Sequence, residues 1–136
     1  MSQLTENFSL AELTVTNTGI DNTPPNNIVD NLYTLAQALE KVRTQCKNNP
    51  IKVLSGYRSK DVNAAVKGSK TSAHMLGLAA DFIVGNMTLK QVFDAIRKSG
   101  IVYDQLIIEP SWIHIGLSKT PRRENLKYDG HNYSAI

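Results

Sequence analysis

The sequence reads as one α+β domain, with helices covering one face of a small, mostly antiparallel sheet. Three observations lead there. Apolar residues recur at steps of three and four over residues 28–47 and 89–99, the period of an amphipathic helix. The stretches 77–84, 103–109 and 112–117 alternate in character from one residue to the next, the period of a strand. The chain has 136 residues, 41% of them hydrophobic and 20% charged, which is enough for one core and too little for two.

Residues 1–27 read as an irregular lead-in, pinned by Phe8 and Leu10 and ending in the turn-forming run Asn22 to Asn27. This lead-in lacks a basic segment followed by an apolar core, so no secretory signal is expected. No apolar run approaches the ~18 residues of a membrane span. Ile28, Leu32, Leu35, Leu39, Val42 and Cys46 form the stripe of a helix over 28–47, with Asn26 or Asn27 as its expected cap. Cys46 continues that stripe and reads as core. As the single cysteine it also excludes an internal disulfide.

A short strand follows at Ile51 to Leu54, and Ser55 to Ser59 (SGYRS) form the loop leaving it. Residues 60–67 read as a short helix stopped by Gly68, and 69–72 as a loop leading to His74. Thr88 and Gln91 form a capping box at the start of the 89–99 helix, with Gly100 expected at C′. Residues 119–136 read as a polar C-terminal segment, and His131 within it as a bystander.

Alternation sorts the strand side chains into two faces. Leu78, Ala80, Phe82 and Val84 share a face with Ile113, Ile115, Leu117, Leu106 and Ile108, which suits packing under helices. Asp81, His114, Trp112, Gln105 and Glu109 then lie on the other face, beside small residues that leave room for a cleft.

The formal net charge of +3 is a mild excess. Lys119, Arg122, Arg123 and Lys127 gather late, but no basic stripe with interleaved aromatics supports nucleic-acid binding. The expected partner classes therefore exclude nucleic acid and membrane, and a monomer is expected. Imidazole and carboxylate ligands suit Zn²⁺, and three protein ligands with an open position mark a catalytic site. The seven-residue step from His74 to Asp81 lets a loop histidine and a strand carboxylate meet across a turn at Gly77, although that spacing alone is a weak signal.

The motif S-x-H-x-x-G-x-A-x-D over Ser72–Asp81, the W-x-H of Trp112–His114 and the upstream SGYRS occur in order, with Phe8–Leu13, Ile20–Pro25 and Asn31-Leu32 before them. Together, over roughly residues 6–118, they resemble the zinc D-Ala-D-Ala carboxypeptidase family of peptidoglycan peptidases. The resemblance implies a DD-peptidase-like fold, whose metal-site architecture also occurs in the Hedgehog signalling domain. It implies one Zn²⁺ per chain held by His74, Asp81 and His114.

It further implies that Arg58 contacts the substrate carbonyl oxygen and that Ser72 touches substrate or supports a ligand. Many family members carry an acid three residues before the last histidine, where this chain has Ser111. Glu109, five residues upstream, is the expected general base, with Asp104 second because alternation puts it on the opposite face. Tyr57, Gln105 and Trp112 are expected at the cleft wall, with simple packing as the alternative for the two aromatics.

The activity implied is cleavage of cell-wall stem or cross-link peptides by a phage or prophage endolysin of the L-alanyl-D-glutamate endopeptidase type. The alternatives are a D,D-carboxypeptidase trimming D-Ala-D-Ala termini and a non-catalytic zinc-binding recognition module. An endolysin would wait in the host cytoplasm until the membrane is permeabilised, or travel with the virion.

Overall fold

The longest helix explains most of the core. In this computed structural model, which describes residues 2–136, a helix (α2) runs over Asn26–Gln45 and buries Ile28, Leu32, Leu35, Ala36, Leu39 and Val42. This is the stripe expected from sequence, and Cys46 at its C-cap is fully buried with it. The helix starts earlier than expected, because Ile28 and Val29 donate to the carbonyl of Pro25, which is itself the N-cap. Neither Asn26 nor Asn27 caps it, since both already lie inside the helix.

The lead-in carries more structure than its sequence announces. Strands β1 (Gln3–Thr5) and β2 (Phe8–Ser9) form a small ribbon that runs into a one-turn helix, α1 (Leu10–Leu13). Ser9 and Glu12 close a capping box there, and Asn7 is tied to α2 through Glu40, its backbone N–H 2.7 Å from Oε2. Phe8 and Leu13 are buried in the main core.

Six strands form the main sheet: β3 (Ile51–Ser55), β4 (Ala79–Val84), β5 (Gln105–Ile108), β6 (Ile113–Gly116), β7 (Glu124–Tyr128) and β8 (Tyr133–Ala135). Their order is β3-β4-β6-β5-β7-β8, antiparallel throughout except for the parallel pair β5–β7. The polar segment expected at 119–136 thus contains the last two strands. Alternation in Glu124–Tyr128 and the turn residues Asp129-Gly130 were the available sequence signal for that hairpin.

Two short helices complete the fold: α3 (Lys60–Ala65) and α4 (Leu89–Arg97). The α4 capping box between Thr88 and Gln91 forms as expected. Gly100 does not supply a left-handed C′ residue; instead the Ser99 hydroxyl donates to Ile96 O and accepts from Ile101 N–H, redirecting the chain. At α3 the left-handed residue is Lys67 (φ 58°) rather than Gly68. Lys67 N–H bonds Ala64 O and Gly68 N–H bonds Asn63 O, a Schellman closure with the glycine one position later than expected.

Ala80, Phe82, Leu106, Ile113 and Ile115 point into the core with α2 and α4, all fully buried. The opposite face carries Asp81, His114 and Gln105, together with Ala79 and Ile107.

Candidate metal centre

Backbone pairing builds most of this site. Asp81 of β4 and His114 of β6 are register partners, and His114 is paired on its other side with Ile107 of β5. His74 comes from a 3-10 turn at Ala73–Leu76 that leads into β4. Gly77 ends that turn in the left-handed region (φ 70°), and a Cβ there would press on Ile28 and Leu32 of α2. A glycine is needed at this position for the chain to reverse against the helix while carrying the histidine toward the strand.

One ligand atom from each of His74, Asp81 and His114 lies within 4.8 Å of the others. His114 Nδ1 is 2.8 Å from Asp81 Oδ1, and His74 Nε2 is 3.4 Å from the same oxygen. His74 Nδ1 lies 2.7 Å from the carbonyl of Gly56. A carbonyl only accepts, so Nδ1 donates its proton there and Nε2 is the ring atom turned toward Asp81. His74 and Asp81 are buried and His114 half-buried.

Burial alone would raise the Asp81 pKa, but hydrogen bonds and charge from His114 and His74 outweigh it and hold the carboxyl well below the usual carboxylate range. Two imidazoles and a carboxylate, converging from three elements, are a donor set that suits a divalent zinc ion.

The SGYRS loop supplies both the second layer and the cation. Gly56 is buried, and a Cβ there would sit 2.5 Å from the backbone oxygen of Leu13. Only glycine lets the loop pass so close to α1 while its carbonyl faces His74. Arg58 is held on three sides: Nε to Ser55 Oγ at 3.1 Å, one terminal nitrogen to Asn63 Oδ1 at 3.4 Å, and the other to Asp81 Oδ2 at 3.3 Å. Its guanidinium therefore stands beside the metal ligands in a fixed orientation.

Asn63 and Asn22 are supports that sequence reading missed. Asn63 is 4% exposed and also donates to Ser69 O, while Asn22 donates to Thr14 O and Tyr57 O and accepts from Ser59 N–H. Asn22 stood in a run of turn formers, so its local chemistry pointed to a turn and not to a buried strut.

Glu109 follows β5, and its N–H bonds Trp112 O at 2.9 Å, closing the turn into β6. Continuing the strand parity, it faces the same side as Ile107 and His114. Burial raises its carboxyl above the usual range; the His114 charge opposes this and the Asp81 charge adds to it, so Glu109 senses both ligands. Asp104 is occupied elsewhere: both its oxygens bind Arg122, from Nε and a terminal nitrogen, at 2.9 Å each.

Trp112 is half-buried in the turn just before β6, two residues from His114. Gln105 is on the His114 face, its amide donating to Glu124 at 2.8 Å. Ser72 caps the 3-10 turn by accepting from His74 N–H at 3.2 Å, so its hydroxyl supports a ligand-bearing turn. Of the two readings for Tyr57, cleft wall or simple packing, the structure has the packing one: it is 6% exposed and part of the main core. His131 is exposed in the β7–β8 turn.

No helix among the described residues is long and apolar enough to cross a membrane. No curated protein matches the chain. The model of the Peptidase M15 family does match, over residues 6–116, a span that holds all three ligand candidates, Arg58 and Glu109. With that match over most of its length, and with a His–Asp–His cluster suited to zinc, the chain belongs to the Peptidase M15 family of zinc metallopeptidases.

Proposed function

We propose that this protein hydrolyses a peptide bond of peptidoglycan, acting as an endolysin-type endopeptidase on stem or cross-link peptides. The observation that carries the reading is the grouping of His74, Asp81 and His114 within 4.8 Å, with a fixed Arg58 against the cluster and Glu109 on the same face. A zinc ion held by the three ligands supplies Lewis-acid activation of water and of the scissile carbonyl.

The chain's own groups do the rest. The Glu109 carboxylate takes a proton from the attacking water as its oxygen adds to the carbonyl carbon. Arg58, oriented by Asn63, Ser55 and Asp81, donates to the oxyanion that develops. When the C–N bond breaks, protonated Glu109 returns the proton to the leaving amine. The upward shift of the Glu109 carboxyl, caused first by burial, makes it a better proton acceptor than an ordinary glutamate.

Incubation with purified sacculi tests the reading. Release of new amino groups that a chelator abolishes and zinc restores is expected. Mass spectrometry of the products distinguishes an endopeptidase from a D,D-carboxypeptidase, which releases only D-alanine. Sacculi left intact by the zinc-loaded protein would defeat the proposal. An endolysin role adds a cellular expectation: expressing cells stay intact until chloroform opens the membrane and then lyse.

A further inference from the structure

Strands β7 and β8 lie beyond residue 116, where the family match stops, yet they extend the sheet face that carries the metal ligands. The parallel pairing of β5 with β7 sets Ile108 against Lys127, which brings the next residues, Glu109 and Tyr128, side by side. The antiparallel pairing of β7 with β8 then sets Tyr128 against Tyr133. Glu109, Tyr128 and Tyr133 thus form one row across three neighbouring chain segments. At ~4.8 Å per strand, Tyr133 stands roughly 10 Å along the sheet from the proposed base.

The two tyrosine rings pack with centroids 4.5 Å apart and planes tilted by 34°. Tyr128 is half-buried and its hydroxyl donates to Gly130 O at 3.0 Å, which anchors that ring to the turn. Tyr133 is 58% exposed. Partial desolvation, and then the negative charges of Glu109 and Asp81, push its phenol above the ordinary tyrosine value.

We propose that Tyr133, backed by Tyr128, contacts the substrate: the ring pair is the wall of the groove beside Glu109 and packs on the aliphatic part of the wall peptide on that side of the scissile bond. This rests on the peptidase reading above. An anchored ring behind an exposed one offers apolar surface at little further entropic cost, which is how aromatic walls gain affinity.

The test is steady-state cleavage of a soluble muropeptide by the zinc-loaded protein. Tyr133→Ala raises KM about threefold to tenfold, keeps kcat within about twofold, and leaves zinc content unchanged. Tyr133→Phe, which keeps the ring, retains a KM near wild type. Ser134→Ala, on the opposite face of the same strand, controls for damage to the hairpin and changes neither constant. As a second measurement, the Tyr133 ring signals in the NMR spectrum of zinc-loaded Glu109→Gln protein shift when the muropeptide is added. An unchanged KM in Tyr133→Ala, whether or not kcat falls, overturns the wall while leaving the peptidase reading in place. A wild-type protein that neither cleaves nor binds the muropeptide overturns both.

Discussion

His114 Nδ1 lies 2.8 Å from Asp81 Oδ1, and the two residues are direct partners in the β4–β6 register. Two of the three ligand candidates are therefore set by sheet pairing, the most rigid part of the fold. The third arrives on a 3-10 turn whose entry is capped by Ser72 and whose exit is the left-handed Gly77. A site built this way needs little rearrangement to accept a cation, which is what preorganised ligation requires.

The first prediction concerns the metal. Purified protein contains about one zinc per chain, and His74→Ala or Asp81→Ala loses most of it. Metal analysis checks this, and full zinc in both variants would exclude the ligand assignment. Gly56 enters the same test through the second layer. Gly56→Ala forces a Cβ against Leu13 O and destabilises the fold by about 1–3 kcal/mol, read as a lower midpoint in denaturant.

A second prediction separates the two acids. Glu109→Gln keeps zinc and fold, while cleavage falls by the ~10²–10⁴ typical of a lost general base. Asp104→Asn has a much smaller effect on the rate, because its carboxylate is engaged by Arg122 and not by the metal cluster. Near wild-type cleavage of sacculi by Glu109→Gln would remove Glu109 from the mechanism.

The third concerns Arg58. Arg58→Ala retains zinc, since none of the three ligands is lost, yet reduces kcat by roughly 10²-fold through the oxyanion. Arg58→Lys restores only part of that rate, because an ammonium cannot reproduce the guanidinium's three-sided hold on Ser55, Asn63 and Asp81. Equal rates in Arg58→Ala and wild type would count against the role.

The fourth prediction concerns pH. The hydrogen bonds and charge of Arg122 hold the Asp104 carboxyl below its ordinary value. A lowered folded pKa means that this stabilisation is fully present above the unfolded carboxylate pKa of ~3.9 and is lost as pH falls through the folded value. The pair is largely solvent-facing on the Arg122 side, so water screens it and its contribution is small. Arg122→Ala should therefore lower Tm modestly at pH 7, with the difference from wild type disappearing in strong acid.

The fifth follows from Glu109. Burial raises its pKa, so the base form appears at higher pH than for an ordinary glutamate and the rate climbs as pH rises through that raised value. The acid limb of kcat should lie above pH ~4.5, and a limb below it would contradict the burial of the carboxyl.

Local chemistry determined a good part of this protein by itself. The α2 stripe, the Thr88–Gln91 box and the inward faces of β4, β5 and β6 were legible because side-chain period and capping act over a few residues. The His, Asp and His ligand set was legible only through the family resemblance of several ordered motifs, since the spacing of His74 and Asp81 alone is a weak signal.

Other features depended on pairs far apart in the chain. Nothing near Tyr57 says that its ring turns into the core, and nothing near Asn22 says that it braces the SGYRS loop 35 residues away. The parallel pairing of β7 with β5, which carries Tyr133 into the row of Glu109, is likewise a long-range choice. Alternation shows which residues share a face of one strand, but only tertiary packing decides which strand lies beside which.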